Sequence, residues 1–180
     1  GDASTSAARN GWKAIFEPAI GTPKGSRGGV AILARNFLGL TRPTGACTTV
    51  WAGRAIAAVL QAPGCRPTLC VSTYLETGVG MSETNCKILA AVGQRVADDE
   101  CKCFCVGGDF NVPLDAMASF ARTVQGQLVV PPTVRGTMRT KDGGSTLDYF
   151  VVEQNLAKGI AKVHTLEHQR LKPHVPVQLT

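Results

Sequence analysis

The chain has 180 residues, 44% apolar and 18% charged, a composition that supports one folded domain with a sizeable core and excludes disorder as the default. Nineteen Lys and Arg against 13 Asp and Glu give a formal charge of +6, which favours anionic partners without naming one. No run approaches the ~20 apolar residues of a membrane span, and the opening GDASTSAARNGWK has no apolar signal core. The first residue is Gly1 and not Met, which suits a piece processed or excised from a longer polypeptide.

In chain order, WKAIFEPA alternates Trp12, Ala14 and Phe16 on one side and reads as a strand. GGVAILA, after Gly28 and Gly29, is a short apolar run of the kind expected of a strand covered on both faces. RAIAAVLQ and TLCVSTYL follow as strands at hairpin spacing around the turn-rich APGCRP. From Ser82, a candidate N-cap, the period changes: Ile88, Leu89, Val92 and Val96 recur at helical spacing. CKCFCVG then predicts a strand, and a second amphipathic helix places Met117, Phe120, Ala121 and Val124 on one face. QLVVPP and STLDYFVV return to strand character, and the ending AKVHTLEHQRLKPHVPVQL predicts two short strands around a polar connection. Within TVRGTMRTKDGG, Arg135, Arg139 and Lys141 fall in a Gly-rich, poorly periodic stretch suited to a mobile loop near phosphate, or simply to a solvated one.

Seven cysteines, an odd and clustered set, argue against a fully paired secreted framework and for unpaired, mostly buried thiols in a reducing intracellular compartment, nuclear or cytoplasmic. The alternation in CKCFC sets Cys101, Cys103 and Cys105 on one strand face, whereas structural zinc sites usually take pairs at C-x2-4-C spacing. The trio therefore reads as core thiols, with metal binding the lesser alternative.

The segment CVGGDFNVPLDA sets Asp109 and Asn111 on a Gly-rich turn directly after an apolar run. Gly, Asp, Asn and Pro are ordinary turn residues, yet the carboxyl end of a buried strand is also where open α/β sheets place their chemistry. Four further polar residues share that kind of context. Tyr74 ends LCVSTY, Asp148 interrupts STLDYFVV, Ser145 lies just before it, and His174 lies in LKPHVPV. Tyr74, Ser145 and His174 each have a bland reading as strand, turn or surface residues. Asp148 is harder to dismiss, because a carboxylate inside an apolar run must be paired or hydrogen-bonded if buried.

In this order the segments GGVAIL, VSTYL, GGDFNV, STLDYFVV and HVPV resemble the endonuclease/exonuclease/phosphatase superfamily. Its members include deoxyribonuclease I, apurinic/apyrimidinic endonucleases, inositol polyphosphate phosphatases, neutral sphingomyelinases and LINE-type retrotransposon endonucleases. The resemblance implies an α/β (α+β) fold, a four-layered sandwich of two mainly antiparallel sheets flanked by helices. It also implies phosphodiester cleavage by water with Mg2+ or Mn2+, most plausibly in nucleic acid. By the family pattern, Asp109 orients or deprotonates the water, Asn111 donates to substrate or water, and His174 donates to a phosphoryl oxygen with Asp148 as its carboxylate partner. Tyr74 adds a phenolic hydrogen bond to the same phosphate, and Ser145, Arg135 and Arg139 are candidate substrate contacts. Physical chemistry supports the His174–Asp148 pairing independently, since a carboxylate beside an imidazole fixes its tautomer and favours its cation.

The departures are specific. Family members open with a strand carrying an Asn and then a strand ending in a metal-binding Glu, both ahead of GGVAIL, and residues 1–180 contain neither. Pro173 stands where an Asp usually precedes the final His, and Thr77 where an Asn commonly follows the strand tyrosine. One domain over residues 1–180 lacking its N-terminal part is therefore expected, with no metal ligands assigned, weak magnesium binding and slow cleavage. The alternative is an impaired domain that binds nucleic acid or other phosphate ligands without cutting.

Overall fold

The computed structural model describes residues 3–23, 25–45, 47–141, 143–168 and 173–180. A short helix, α1 (Ala3–Arg9), leads into β1 (Trp12–Glu17), the hairpin of β2 (Ile20–Thr22) and β3 (Gly25–Arg27), and β4 (Val30–Arg35). Short strands β5 (Gly39–Thr41) and β6 (Thr49–Trp51) precede the hairpin of β7 (Ala55–Gln61) and β8 (Thr68–Tyr74), then α2 (Glu83–Asp98) and β9 (Phe104–Asp109). The order continues with α3 (Leu114–Thr123), β10 (Gly126–Val129), a hairpin of β11 (Met138–Thr140) and β12 (Gly143–Ser145), and β13 (Asp148–Glu153). It closes with α4 (Gln154–Gly159), β14 (Val163–Thr165) and β15 (Val177–Leu179).

Seven strands build the central sheet in the order β10, β13, β9, β8, β7, β5, with β6 also paired to β7. β8 and β9 run parallel, which needs a crossover, and α2 supplies it. Ser82 starts that helix by accepting from the Asn85 N–H at 3.3 Å. Strand alternation then sorts the side chains. Leu69 and Val71, Phe104 and Val106, and Tyr149 and Val151 face one side, where they pack with Ile88, Leu89 and Val92 of α2 and Met117, Phe120 and Ala121 of α3. Each such side chain contributes ~1.5–3 kcal/mol by leaving water.

The β1–β4 ribbon, with Ile15 opposite Ile32, packs against β7 and β8. Ile56, Ala58 and Ala34 are buried there. The mixed α/β architecture is thus the one expected, a large sheet with helices outside it. Its second layer consists, among the described residues, of separate pairs, β1 with β4 and β14 with β15.

Four expectations change in detail. Strand β4 is covered on one face only, and Leu33 is 46% exposed, because the outer side of the ribbon carries no further layer among the described residues. CKCFCVG is strand only from Phe104, since Lys102 adopts a left-handed φ of 52° that breaks extension. The larger apolar Phe104 and Val106 take the helix-covered face, so Cys105 turns the other way, opposite Cys70. Third, the cysteines are unpaired but not mostly buried: Cys47, Cys65 and Cys86 are exposed and the other four half-buried. The segment expected to be a mobile loop contains the β11–β12 hairpin, pinned by Arg139 gripping Glu167 at 2.7 and 2.6 Å. Both strands expected in the ending are present as β14 and β15, while residues 169–172 of their connection lie outside the described residues.

Burial pushes the Cys70 thiol up to about 11 and the Cys105 thiol to about 12, which suppresses their reactive thiolates at neutral pH. Titration with an aromatic disulfide reagent is therefore expected to label Cys47, Cys65 and Cys86 first in the native protein and all seven after denaturation. Fewer than seven thiols in denaturant would reveal a disulfide and contradict this arrangement.

Candidate active site

The ends of three adjacent strands bring the expected residues together by register alone. Tyr74 of β8 pairs with Asp109 of β9, and Asp109 pairs with Asp148 of β13, so all three project from the sheet face opposite the helices. The two glycines before Asp109 have separate reasons. A Cβ on Gly107 would lie 2.8 Å from the Phe150 ring, and one on Gly108 would lie 1.9 Å from the Thr73 carbonyl oxygen. Only glycine lets β9 run this close to both neighbours.

Beyond Asp109 the chain turns sharply through Asn111, whose φ of 51° is tolerated by Asn better than by most residues. Its Nδ2 donates to the Leu75 carbonyl at 3.0 Å. The amide is thus tied to the segment after β8, beside Asp109. Phe110 stacks on Tyr149 with ring centroids 4.6 Å apart, and its N–H donates to the Leu147 carbonyl at 2.8 Å, which anchors the turn in the core.

His174 arrives from the far end of the chain. Its Nδ1 lies 2.8 Å from Asp148 Oδ2, so that nitrogen carries the proton, and Nε2 lies 3.7 Å from Asp109 Oδ2. All three side chains are partly open, at 32% exposure for His174, 23% for Asp148 and 19% for Asp109. Asp109 Oδ1 is buried and has no hydrogen-bond partner among the described residues. Burial, then the nearby Asp148 charge, raise the Asp109 pKa, and His174 and Asn111 offset this in part.

Ligand atoms of Asp109, Asp148 and His174 all lie within 4.8 Å of one another. Asp109 has an oxygen without a donor and lies near a second carboxylate, Asp148, and a hard divalent cation beside the two relieves both desolvation and repulsion. The donor set therefore fits one such ion held chiefly through Asp109, with the remaining positions left to solvent or phosphate oxygens, as magnesium prefers.

Thr137, which the sequence reading missed, is the hub behind the pair. It is fully buried, and its Oγ1 accepts from the N–H groups of both Leu147 and Asp148 at 2.9 Å. Its carbonyl accepts from the Val175 N–H at 2.7 Å, so one residue fixes the backbone beside Asp148 and beside His174. Met138 also bridges His174, and the Arg139 N–H donates to the Pro173 carbonyl at 3.0 Å. Thr137→Val would leave two backbone donors in the interior without their acceptor, at ~1–3 kcal/mol each. A loss of about 2 kcal/mol or more is expected in urea unfolding, and no loss would show that this hub is dispensable.

The remaining candidates sit differently. The Arg139 guanidinium is taken by Glu167, and Arg135 is exposed nearby. Ser145 is exposed on β12, and its carbonyl, not its hydroxyl, is what the structure uses, accepting from the Thr137 N–H at 3.0 Å. Tyr74 stands beside Arg54, whose guanidinium carbon lies 4.9 Å from the ring centroid. Arg54 also escaped the sequence reading; its position directly before an apolar strand was the available signal.

The fold, a central mixed sheet backed by helices, is similar to that of solved nucleases, and its strand ends carry an Asp-His pair and a second Asp. Among solved structures the chain is similar to the endonuclease domain of TRAS1, a telomere-specific non-LTR retrotransposon, at a TM-score of 0.70 and 14% identity, covering 93% of this chain and 76% of that one. The AP endonuclease LMAP of Leishmania major gives 0.67 and 15% identity over 94% of this chain and 70% of that one. The 3'-5' exonuclease NExo of Neisseria meningitidis gives 0.66 and 17% over 99% and 82%. No protein-family model matches the chain, and no curated protein matches it significantly.

Proposed function

We propose that this chain hydrolyses phosphodiester bonds in nucleic acid through an activated water. The observation that carries the reading is the convergence of Asp109, Asp148 and His174, with the His174–Asp148 hydrogen bond at 2.8 Å and one unsatisfied oxygen on Asp109. The neighbours of this fold include a retrotransposon endonuclease, an AP endonuclease and an exonuclease, and the charge of +6 suits a polyanion.

Each side chain has a distinct task. Asp109, its pKa raised chiefly by burial, aligns the water and accepts its proton as the oxygen attacks phosphorus. His174 keeps its Nδ1–H on Asp148, which leaves Nε2 to donate to a phosphoryl oxygen when protonated and so to stabilise the extra negative charge of the transition state. Tyr74 supplies a further hydroxyl at the same row of strand ends. Mg2+ or Mn2+, held through Asp109 with Asp148 nearby, would neutralise charge on the phosphate and leaving oxygen. No covalent nucleophile is needed.

A second reading has its own observation. Asp148 is committed to His174, so few carboxylate oxygens remain for a cation. A domain that holds the phosphate backbone without cutting it follows if that cation binds too weakly. Incubating a DNA duplex with excess protein and magnesium in 18O-labelled water separates the readings. Hydrolysis places one solvent oxygen on each new terminal phosphate and stops with chelator. Binding without new termini favours the second reading, and chelator-insensitive cleavage contradicts the first.

A further inference from the structure

Strand pairing lays out the sheet face opposite the helices in rows. Tyr74, Asp109 and Asp148 form the row at the strand ends; the next is Ile56, Ser72, Gly107 and Phe150, and the one after it Ala58, Cys70, Cys105 and Val152. Cys70 of β8 and Cys105 of β9 are thus direct neighbours across parallel strands, ~13 Å behind Tyr74 and Asp109. Both thiols are half-buried and unpaired. The residues flanking them in the row, Ala58 and Val152, are fully buried and bring no polar side-chain atom.

Two sulfurs on adjacent strands can be joined directly or through an ion, and strand spacing distinguishes the two. Neighbouring strands run ~4.7–4.9 Å apart, whereas a disulfide wants its Cβ atoms at ~3.8 Å, so an S–S bond would have to draw β8 and β9 together. Two metal–sulfur bonds of ~2.3 Å in line span about 4.6 Å, which suits the spacing as it stands. The number of ligands then selects the ion. Among the described residues, the only group of three His, Cys, Asp or Glu ligand atoms within 4.8 Å of one another is that of Asp109, Asp148 and His174, so no third such ligand joins the two sulfurs. Cys103, the next thiol along β9, has its Sγ 3.5 Å from the Thr68 hydroxyl. Structural zinc takes four ligands in a tetrahedron, and hard cations take oxygen. Soft Cu+ favours thiolates and is satisfied by two of them in line.

We infer that Cys70 and Cys105 form a two-coordinate site for a soft monovalent cation of the Cu+ class, set in the sheet behind the candidate active site. The inference is independent of the proposed hydrolysis and uses none of its residues. In the binding step one Cu+ and two thiols give a bis-thiolate complex with one negative charge and two released protons, and the oxidation state of copper does not change. Burial, then the Cys103 thiol, pushes Cys70 up to about 11, and burial, then Cys70, pushes Cys105 up to about 12. Both are therefore protonated in the free protein at neutral pH, and the ion has to displace both protons. Two bare thiolates would repel across the strands; the ion between them removes that repulsion.

The test is anaerobic titration against a chromogenic Cu+ chelator, in a Cys47→Ser, Cys65→Ser, Cys86→Ser background that removes the exposed thiols. One ion per chain is expected, with two sulfurs around it by X-ray absorption and about two protons released per ion at pH 7. In this background Cys70→Ala and Cys105→Ala should each lower the affinity about hundredfold or more, because one sulfur alone holds such an ion weakly. Cys101→Ala and Cys103→Ala should leave it within about threefold. An excess of Zn2+ should not displace Cu+. Circular dichroism identifies any variant that fails to fold, and the sulfur count and proton release with both thiols present carry the test without it. A third sulfur or a nitrogen bound to the ion, undiminished affinity in folded Cys70→Ala or Cys105→Ala, displacement by Zn2+, or no Cu+ binding would each overturn the site.

Discussion

Asp109→Asn is expected to reduce cleavage between about a hundredfold and ten thousandfold, the range for removing a general base, while raising the melting temperature at pH 7. The two effects share one cause. Burial and the Asp148 charge raise the Asp109 pKa in the fold, so the ionised carboxylate opposes folding. An asparagine carries no charge, and its amide can donate toward Asp148 across the register pair. Below the unfolded-state pKa, about 3.9, Asp109 is neutral in both states and the variant should gain little. The gain grows as pH rises from there through the folded-state value and then levels off. The same shift sets the acid limb of the rate profile above the ordinary carboxylate range. In Asp148→Asn that limb should move to lower pH, because one of the causes raising Asp109 is gone. A melting temperature unchanged at every pH would show that Asp109 is not held against its charge.

His174→Ala and Asp148→Ala should each lower the single-turnover rate by about a hundredfold to a thousandfold, the scale of losing a preorganised charge stabiliser. The double variant should lose little more than either alone. In the proposed mechanism Asp148 acts on the phosphate through His174, by the 2.8 Å bond to Nδ1, so removing either removes most of what the pair contributes there. Multiplicative losses would mean that the two act separately. Asp148→Asn is the gentler test of the pairing, because an amide at the same place can present its NH2 to Nδ1 and favour the wrong tautomer.

Much of this arrangement was legible in the chain because period and chemistry agree there. The alternation in TLCVSTY and STLDYFVV identifies the faces of β8 and β13, and a carboxylate in the second of these implied a partner, which His174 supplies. GGDFN marked a strand end, and the packing of Gly107 and Gly108 explains why both are glycine. What escaped depends on long-range placement. Thr137 looks like any loop threonine until the chain folds Leu147, Asp148 and Val175 around it. Arg54 gains meaning only when β7 and β8 pair and Tyr74 slides beneath it. Arg139 drew attention by charge, yet Glu167, 28 positions away, takes its guanidinium. The face taken by CKCFC was misread because one left-handed residue, Lys102, delays the strand to Phe104, and two larger apolar side chains outcompete the thiols for the core.

In the proposed mechanism one cluster, Asp109 with His174 and Asp148, breaks the phosphodiester bond. The most direct measurement is single-turnover cleavage of an end-labelled DNA duplex in magnesium, comparing the protein with an Asp109→Asn, His174→Ala double variant purified identically. Magnesium-dependent fragments from the parent and none from the variant is the result this account predicts; equal cleavage by both would place the chemistry elsewhere and contradict it.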